Sequence, residues 1–203
     1  MCTKHGNTIV QTYSSDAAAW SEPIFSGQNY LFTSPMGSAL VGNALYFGIQ
    51  MRRKALKYDL ELRQVSLIQL PCPQRMTLWQ SLLTTTEDGG LVLIDKDDSE
   101  SELYMWSRKD THEVDAKWER RVIGLKEVFP VDVDVTKLYL NGSGVGIVFM
   151  NTASKVYTID LQTYKVKKVF EGTAYDFVPY MNFYTPGTIL LFLFWFYIVQ
   201  NEK

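Results

Sequence analysis

Apolar and polar positions along this chain fall into a phrase that returns three times. An apolar strand opened by glycine, a short loop, an aromatic-rich strand, a turn and a third strand appear at Leu40 to Ile68, at Gly89 to Leu125 and at Gly144 to Glu171. Val41–Phe47 leads to Leu56–Leu60 and Gln64–Ile68. Gly90–Ile94 leads to Leu103–Ser107 and Trp118–Ile123, and Gly144–Phe149 leads to Lys155–Leu161 and Lys165–Phe170. The apolar runs are short and bounded by Gly, Asp, Asn and Ser, which predicts strands and turns. The N-terminus enters mid-phrase: Ile9–Tyr13, a turn at Ser14, Ser15 and Asp16, and then Trp20 match the second and third strands of an earlier unit. A period of roughly 45 to 55 residues points to propeller blades. The expected fold is therefore all-β, a partial β-propeller of about three to four blades of antiparallel strands over residues 1–186, followed by an atypical apolar tail over 187–203.

Composition agrees with that class. The 203 residues are 46% hydrophobic and 14% aromatic, an ordinary globular balance tilted toward side chains that suit a pleated surface. A formal charge of -2 gives no electrostatic footprint for nucleic acid. Two local basic clusters, Arg52-Arg53-Lys54 with Lys57 and Lys165 with Lys167-Lys168, read as solvated edges, where lysine discourages unwanted strand pairing.

Chemistry-bearing residues are sparse. Cys2 and Cys72 stand far apart in a chain whose start lacks the charged and apolar stretch of a secretory signal, so free thiols and a cytoplasmic or nuclear location are expected. His5 and His112 fall in a terminus and a polar stretch, too scattered to support a nucleophile or a multi-His metal site. Asp95, Asp97, Asp98, Glu100 and Glu102 lack the glycine and the register of a calcium loop, and read as a solvated hairpin tip between Ile94 and Leu103. Gly142-Ser143-Gly144-Val145-Gly146 precedes a strand rather than the helix a phosphate cradle needs, so it reads as a hairpin turn, and Asn141-Gly142 likewise as a turn. Asp88-Gly89-Gly90 reads as a tight turn feeding a strand. Trp20, Trp106, Trp118, Tyr46, Tyr58, Tyr104 and Tyr157 recur at equivalent points and are expected to pack between sheets. No catalytic, cofactor-binding or metal-binding residue is assigned, and no cofactor is expected.

The tail Ile189–Val199 is an unbroken apolar run of roughly eleven residues, short of the ~20 that a spanning helix needs. It is either a strand buried on both faces or a segment foreign to the fold.

Tyr13–Asp16 through Trp20–Pro23, Leu40–Phe47, Leu56–Leu60 and Thr84–Leu91 together resemble the C-terminal β-propeller domain of plant F-box proteins, a set expanded in grasses. Leu103–Arg108, Trp118–Leu125, Val156–Leu161 and Val178–Pro186 continue the likeness in order, from about Ile9 to Pro186. In that family an F-box helical module docks on the Skp adaptor of a cullin-RING ubiquitin ligase, and the propeller is thought to recruit the target. The resemblance implies a non-enzymatic protein-interaction module whose partner is a target protein. The Skp adaptor is expected as a partner only if an F-box is joined upstream, since no such segment is visible before the first blade. One alternative is a truncated product without ligase coupling that competes for targets; another is a propeller-based small-ligand binder or hydrolase. A propeller removes its open edges by closing a ring, so a few blades alone are expected to be marginal or to self-associate.

Overall fold

A computed structural model describes residues 2–4, 7–25, 37–49, 53–71, 81–96, 101–108, 117–144 and 146–171. The described residues lie mostly in antiparallel strands. β1 (Cys2–Lys4), β2 (Asn7–Val10), β3 (Tyr13–Ser14), β4 (Ala19–Trp20) and β5 (Ile24–Phe25) form the first blade, in which β2 pairs with both β1 and β5 and β3 pairs with β4. Each of the next three blades is a four-stranded meander. The second is β6 (Ser38–Val41), β7 (Ala44–Gly48), β8 (Lys54–Asp59) and β9 (Gln64–Gln69). The third is β10 (Ser81–Thr85), β11 (Leu91–Lys96), β12 (Glu102–Arg108) and β13 (Glu119–Gly124). The fourth is β14 (Tyr139–Gly144), β15 (Ile147–Asn151), β16 (Lys155–Asp160) and β17 (Val166–Glu171). The first strands β6, β10 and β14 lie side by side, which is the inner wall of a propeller.

The repeat therefore has one strand more than the sequence phrase. Its glycine does not open the blade but turns the first strand into the second: Gly42 (φ 55°), Gly89 (φ 81°) and Gly146 (φ 69°) occupy equivalent hairpins. At Gly146 a Cβ would also stand 2.9 Å from Glu87 Cγ, so this position needs glycine on two counts. Asn141 and Gly142, expected to make a turn, instead lie inside β14, where the register slips between Leu140 and Gly142. A bulge explains the choice of residues, because it bends one strand without ending it.

Alternation of side chains builds the core between blades rather than within them. Leu91 and Leu93 of β11, with Leu83, Tyr104 and Trp106, face Ala39, Val41, Ala44, Tyr46 and Ala55 of the second blade. Val92 and Ile94, with Leu82, Leu103 and Met105, face Val148, Met150, Tyr157 and Ile159 of the fourth. Val10 of the first blade meets Ile49, Leu56 and Tyr58. A strand buried on both faces carries apolar residues at every position, as β11 does until Asp95.

Of the aromatics expected between sheets, Trp106, Tyr46, Tyr58, Tyr104 and Tyr157 are buried there and Trp118 is half-buried. Trp20 is not: it is 63% exposed and meets Tyr13 at a tilt of 59°, centroids 5.4 Å apart, at the rim of the first blade. The acidic stretch also departs from its reading. Asp95 and Lys96 are buried as the last residues of β11, because that strand runs on past Ile94 into the sheet. Asp97, Asp98 and Glu100 lie outside the described residues, as do both histidines, Cys72 and the apolar tail. Among the described residues, no helix is long and apolar enough to cross a membrane.

Candidate functional site

In the second and fourth blades the hairpins that join the third and fourth strands repeat one design. Asp59 Oδ1 accepts the amides of Glu61 and Leu62 at 3.1 and 2.9 Å, and Asp160 Oδ1 accepts those of Gln162 and Thr163 at 2.9 and 2.7 Å. Four residues after each aspartate the chain turns left-handed, at Arg63 (φ 53°) and Tyr164 (φ 57°), and Ala18 (φ 48°) follows Ser14 in the same way. The side-chain cap makes this backbone affordable to residues other than glycine. Each turn is then tied to the inner hairpin of its own blade, Leu60 N to Asn43 O at 2.9 Å and Leu161 N to Gly146 O at 2.8 Å.

The left-handed residues reach back to the preceding blade. Arg63 donates to Glu22 O at 3.1 Å, and Tyr164 accepts from Arg121 at 3.2 Å. Near the axis, Gly146 N donates to Thr85 O at 2.9 Å. Neither Arg63 nor Tyr164 was marked by the sequence, where both look like ordinary hairpin residues; the aspartate four positions earlier was the available signal.

These contacts shape a groove of about 230 Å³ between the third and fourth blades, on the face that carries the inner and outer hairpins. Glu87, Asp88 and Arg121 give it charge, Met105 forms apolar wall, and Gly146 and Leu161 close the fourth-blade side. Glu87 forms no ion pair among the described residues. A second groove of about 350 Å³ opens on the opposite face, where the connection from β13 to β14 meets the β15–β16 hairpin. There Asp132 lies 3.8 Å from Lys155, and Asp134 binds Lys137 at 2.9 Å. The Thr136 hydroxyl at 2.6 Å, followed by Lys137, holds the Asp134 carboxyl down at about 2. The charges of this second groove are thus satisfied internally. Among the described residues, no three His, Cys, Asp or Glu side chains converge on a metal position.

The Asp160 cap titrates. Donation from the Thr163 amide, then the Gln162 amide, holds its carboxyl below the usual range despite some desolvation. The folded protein therefore keeps Asp160 ionised at a pH where the unfolded chain has protonated it. Its contribution is whole above the unfolded value and is lost as pH falls through the folded one. Replacing Asp160 with asparagine is expected to keep the turn but flatten the acid limb of the unfolding curve, and alanine to lower stability across the pH range. Urea unfolding between neutral and strongly acid pH checks both.

The family described as "F-box protein AT5G49610-like, beta-propeller" matches residues 1–187. Among solved structures the chain is similar to the extracellular domain of a protein described as a one-component system, BT4673, of B. thetaiotaomicron. That likeness has 14% identity and a TM-score of 0.38, and covers 85% of this chain but only 22% of that one. No curated protein matches the chain at a significant level. Three four-stranded antiparallel sheets packed face to face, with their first strands along one wall, agree with that match, and the chain belongs to the F-box protein AT5G49610-like β-propeller family.

Proposed function

We propose that this chain recruits a protein target as the propeller part of a ubiquitin-ligase receptor, and that the groove between the third and fourth blades is where the target docks. Membership of an F-box protein propeller family over residues 1–187 carries this reading. The groove adds a place for it: rigid strands and interlocked hairpins hold Glu87, Asp88 and Arg121 around Met105, a small anchor site with a charged rim. Coupling to a ligase requires an F-box module and the Skp adaptor, which are partners of the whole receptor.

The test is a fusion. Joined behind an F-box module and expressed with the Skp adaptor and a cullin-RING ligase, the chain is expected to bind adaptor and to lower the abundance of proteins that co-purify with it. Proteasome inhibition should restore them. Glu87→Lys, on an exposed turn, should leave adaptor binding intact and abolish the depletion. A fusion that binds adaptor yet depletes nothing would overturn the receptor role, and depletion unaffected by Glu87→Lys would move the docking site elsewhere.

A further inference from the structure

Each blade ends in an outer strand with an open edge, and in the first, third and fourth blades that edge is interrupted. Pro23 stands just before β5, β13 opens with Glu119-Arg120-Arg121, and β17 carries Lys167-Lys168 and a register slip opposite Val156 and Tyr157. Proline, charge and irregularity all discourage further strand pairing. β9 has an even edge instead: Gln64-Val65-Ser66-Leu67-Ile68-Gln69 carries no charge and pairs with β8 without a slip.

The open part of that edge is short and centred on Ser66. Leu70 N donates to Arg53 O at 2.8 Å, so Gln64, Ser66, Ile68 and Leu70 turn their backbone groups toward β8, and Val65, Leu67 and Gln69 turn theirs outward. The left-handed turn at Arg63 (φ 53°) closes one end. Trp118, just ahead of β13, closes the other by donating from Nε1 to Gln69 O at 3.2 Å. Between them the outward N–H and C=O groups of Val65 and Leu67 have no partner among the described residues. A second β9 laid antiparallel, Ser66 opposite Ser66, brings the N–H and C=O of each Val65 onto the C=O and N–H of Leu67 in the other copy. Those side chains share one face, so the half-buried Val65 of one copy covers the exposed Leu67 of the other.

The charges around the edge favour this self-pairing. Asp59, Glu61 and Arg63 lie at the Gln64 end, and the bonds that Asp59 and Glu61 accept from turn amides and from Asn43 Nδ2 leave their charge in place, so that end is net negative. Arg53 and Lys54 are exposed at the Gln69 end and make it positive, while Lys117 and Glu119, on either side of Trp118, offset one another. Antiparallel copies set the negative end of each against the positive end of the other. Lys57 lies beside Ser66 on β8. In the pair its two copies stand three strand spacings apart, roughly 14 Å, farther than the ~8–10 Å over which exposed charges act near physiological salt. A strand with acidic flanks would meet Asp59 and Glu61, and one with basic flanks Arg53 and Lys54; a second copy of this edge meets neither repulsion.

We infer that β9 is a self-docking edge: two copies of the chain pair antiparallel about a two-fold axis at Ser66 and join their second blades into one continuous sheet. Main-chain bonds between Val65 and Leu67 supply the affinity, and the matched ends fix the register. The contact is small, so the pairing is reversible and follows concentration. The groove lies between other blades, so a pair presents a target with one groove on each copy. Self-pairing does not depend on ligase coupling.

Sedimentation equilibrium of the full chain is expected to show a monomer–dimer equilibrium that added salt weakens, with amide exchange at Val65 and Leu67 slowing as concentration rises. Ser66→Glu sets two carboxylates directly opposite, with Cα atoms about 4.5 Å apart, and should weaken pairing several-fold. Lys57 beside it accommodates the new carboxylate within each copy. Ser66→Lys should weaken pairing in the same way, and mixing the two variants should restore it, because opposite charges then meet. A chain that stays monomeric at every concentration, its β9 edge left to solvent or to another protein, would overturn the inference. So would a dimer unchanged in both variants, or a mixture no more associated than either variant alone.

Discussion

Replacing Trp106 with alanine is expected to lower the stability of the chain by about 3–5 kcal/mol, a large share of the roughly 5–15 kcal/mol that holds an ordinary domain together. Trp106 is buried at the join of the second and third blades, stacked on Tyr104 with ring centroids 5.8 Å apart, opposite Leu93 in the register. Arg120 covers Tyr104 from the outside at 4.8 Å. Removing the indole leaves a void that two rigid sheets cannot collapse into, since each is held in register by its own ladder. Trp20→Ala is the control. It deletes the same side chain at an exposed rim, and its cost should stay within about 1 kcal/mol. Urea unfolding of both variants separates them; similar midpoints would show that the join between blades is not where the stability resides.

The second large effect is expected at Phe129. This ring meets Tyr157 edge to face, 5.2 Å apart at 72°, and belongs to the core shared by the third and fourth blades. It is also the first residue after the one-turn helix Leu125–Val128, and its N–H donates to Leu125 O at 3.0 Å. Phe129→Ala should cost about 3–4 kcal/mol, part of it the edge-to-face contact. The loss should also be local. Released from its anchor, the connection through the fully exposed Val131 to the 3-10 turn Val135–Lys137 should become sensitive to protease and exchange its amides faster. Unchanged exchange there would mean that Leu125, Val135 and Leu138 hold the connection without Phe129.

Strands two to four of the second, third and fourth blades were legible in the sequence because they announce themselves at their ends. Gly42, Gly89 and Gly146 punctuate the inner hairpins, Asp59 and Asp160 the outer ones, and between them apolar residues stand in short runs. The inner strands were illegible for a physical reason. Ser81–Thr85 is buried on both faces and needs no alternation, and Ser38–Val41 was absorbed into its neighbour across a two-residue turn. Tyr139–Gly144 hid behind an Asn-Gly pair that a bulge, rather than a turn, put to use. The groove was less visible still. Glu87, Met105, Arg121 and Leu161 come together only because successive blades pack, and nothing local to any of them signals a neighbour in another repeat.

The bonds that Arg63 and Tyr164 send back to the preceding blade bear on how the chain is made. The outer hairpins of the second and fourth blades find their partners, Glu22 O and Arg121, in residues synthesised some forty positions earlier, and neither tie waits for a blade not yet made. A chain emerging from the ribosome N-terminus first can therefore fasten each blade onto a finished one as its last hairpin appears. Assembly by such latching has a direction, and a pause in translation after the fourth strand of a blade would leave a structure whose trailing surface, not its leading one, is already secured.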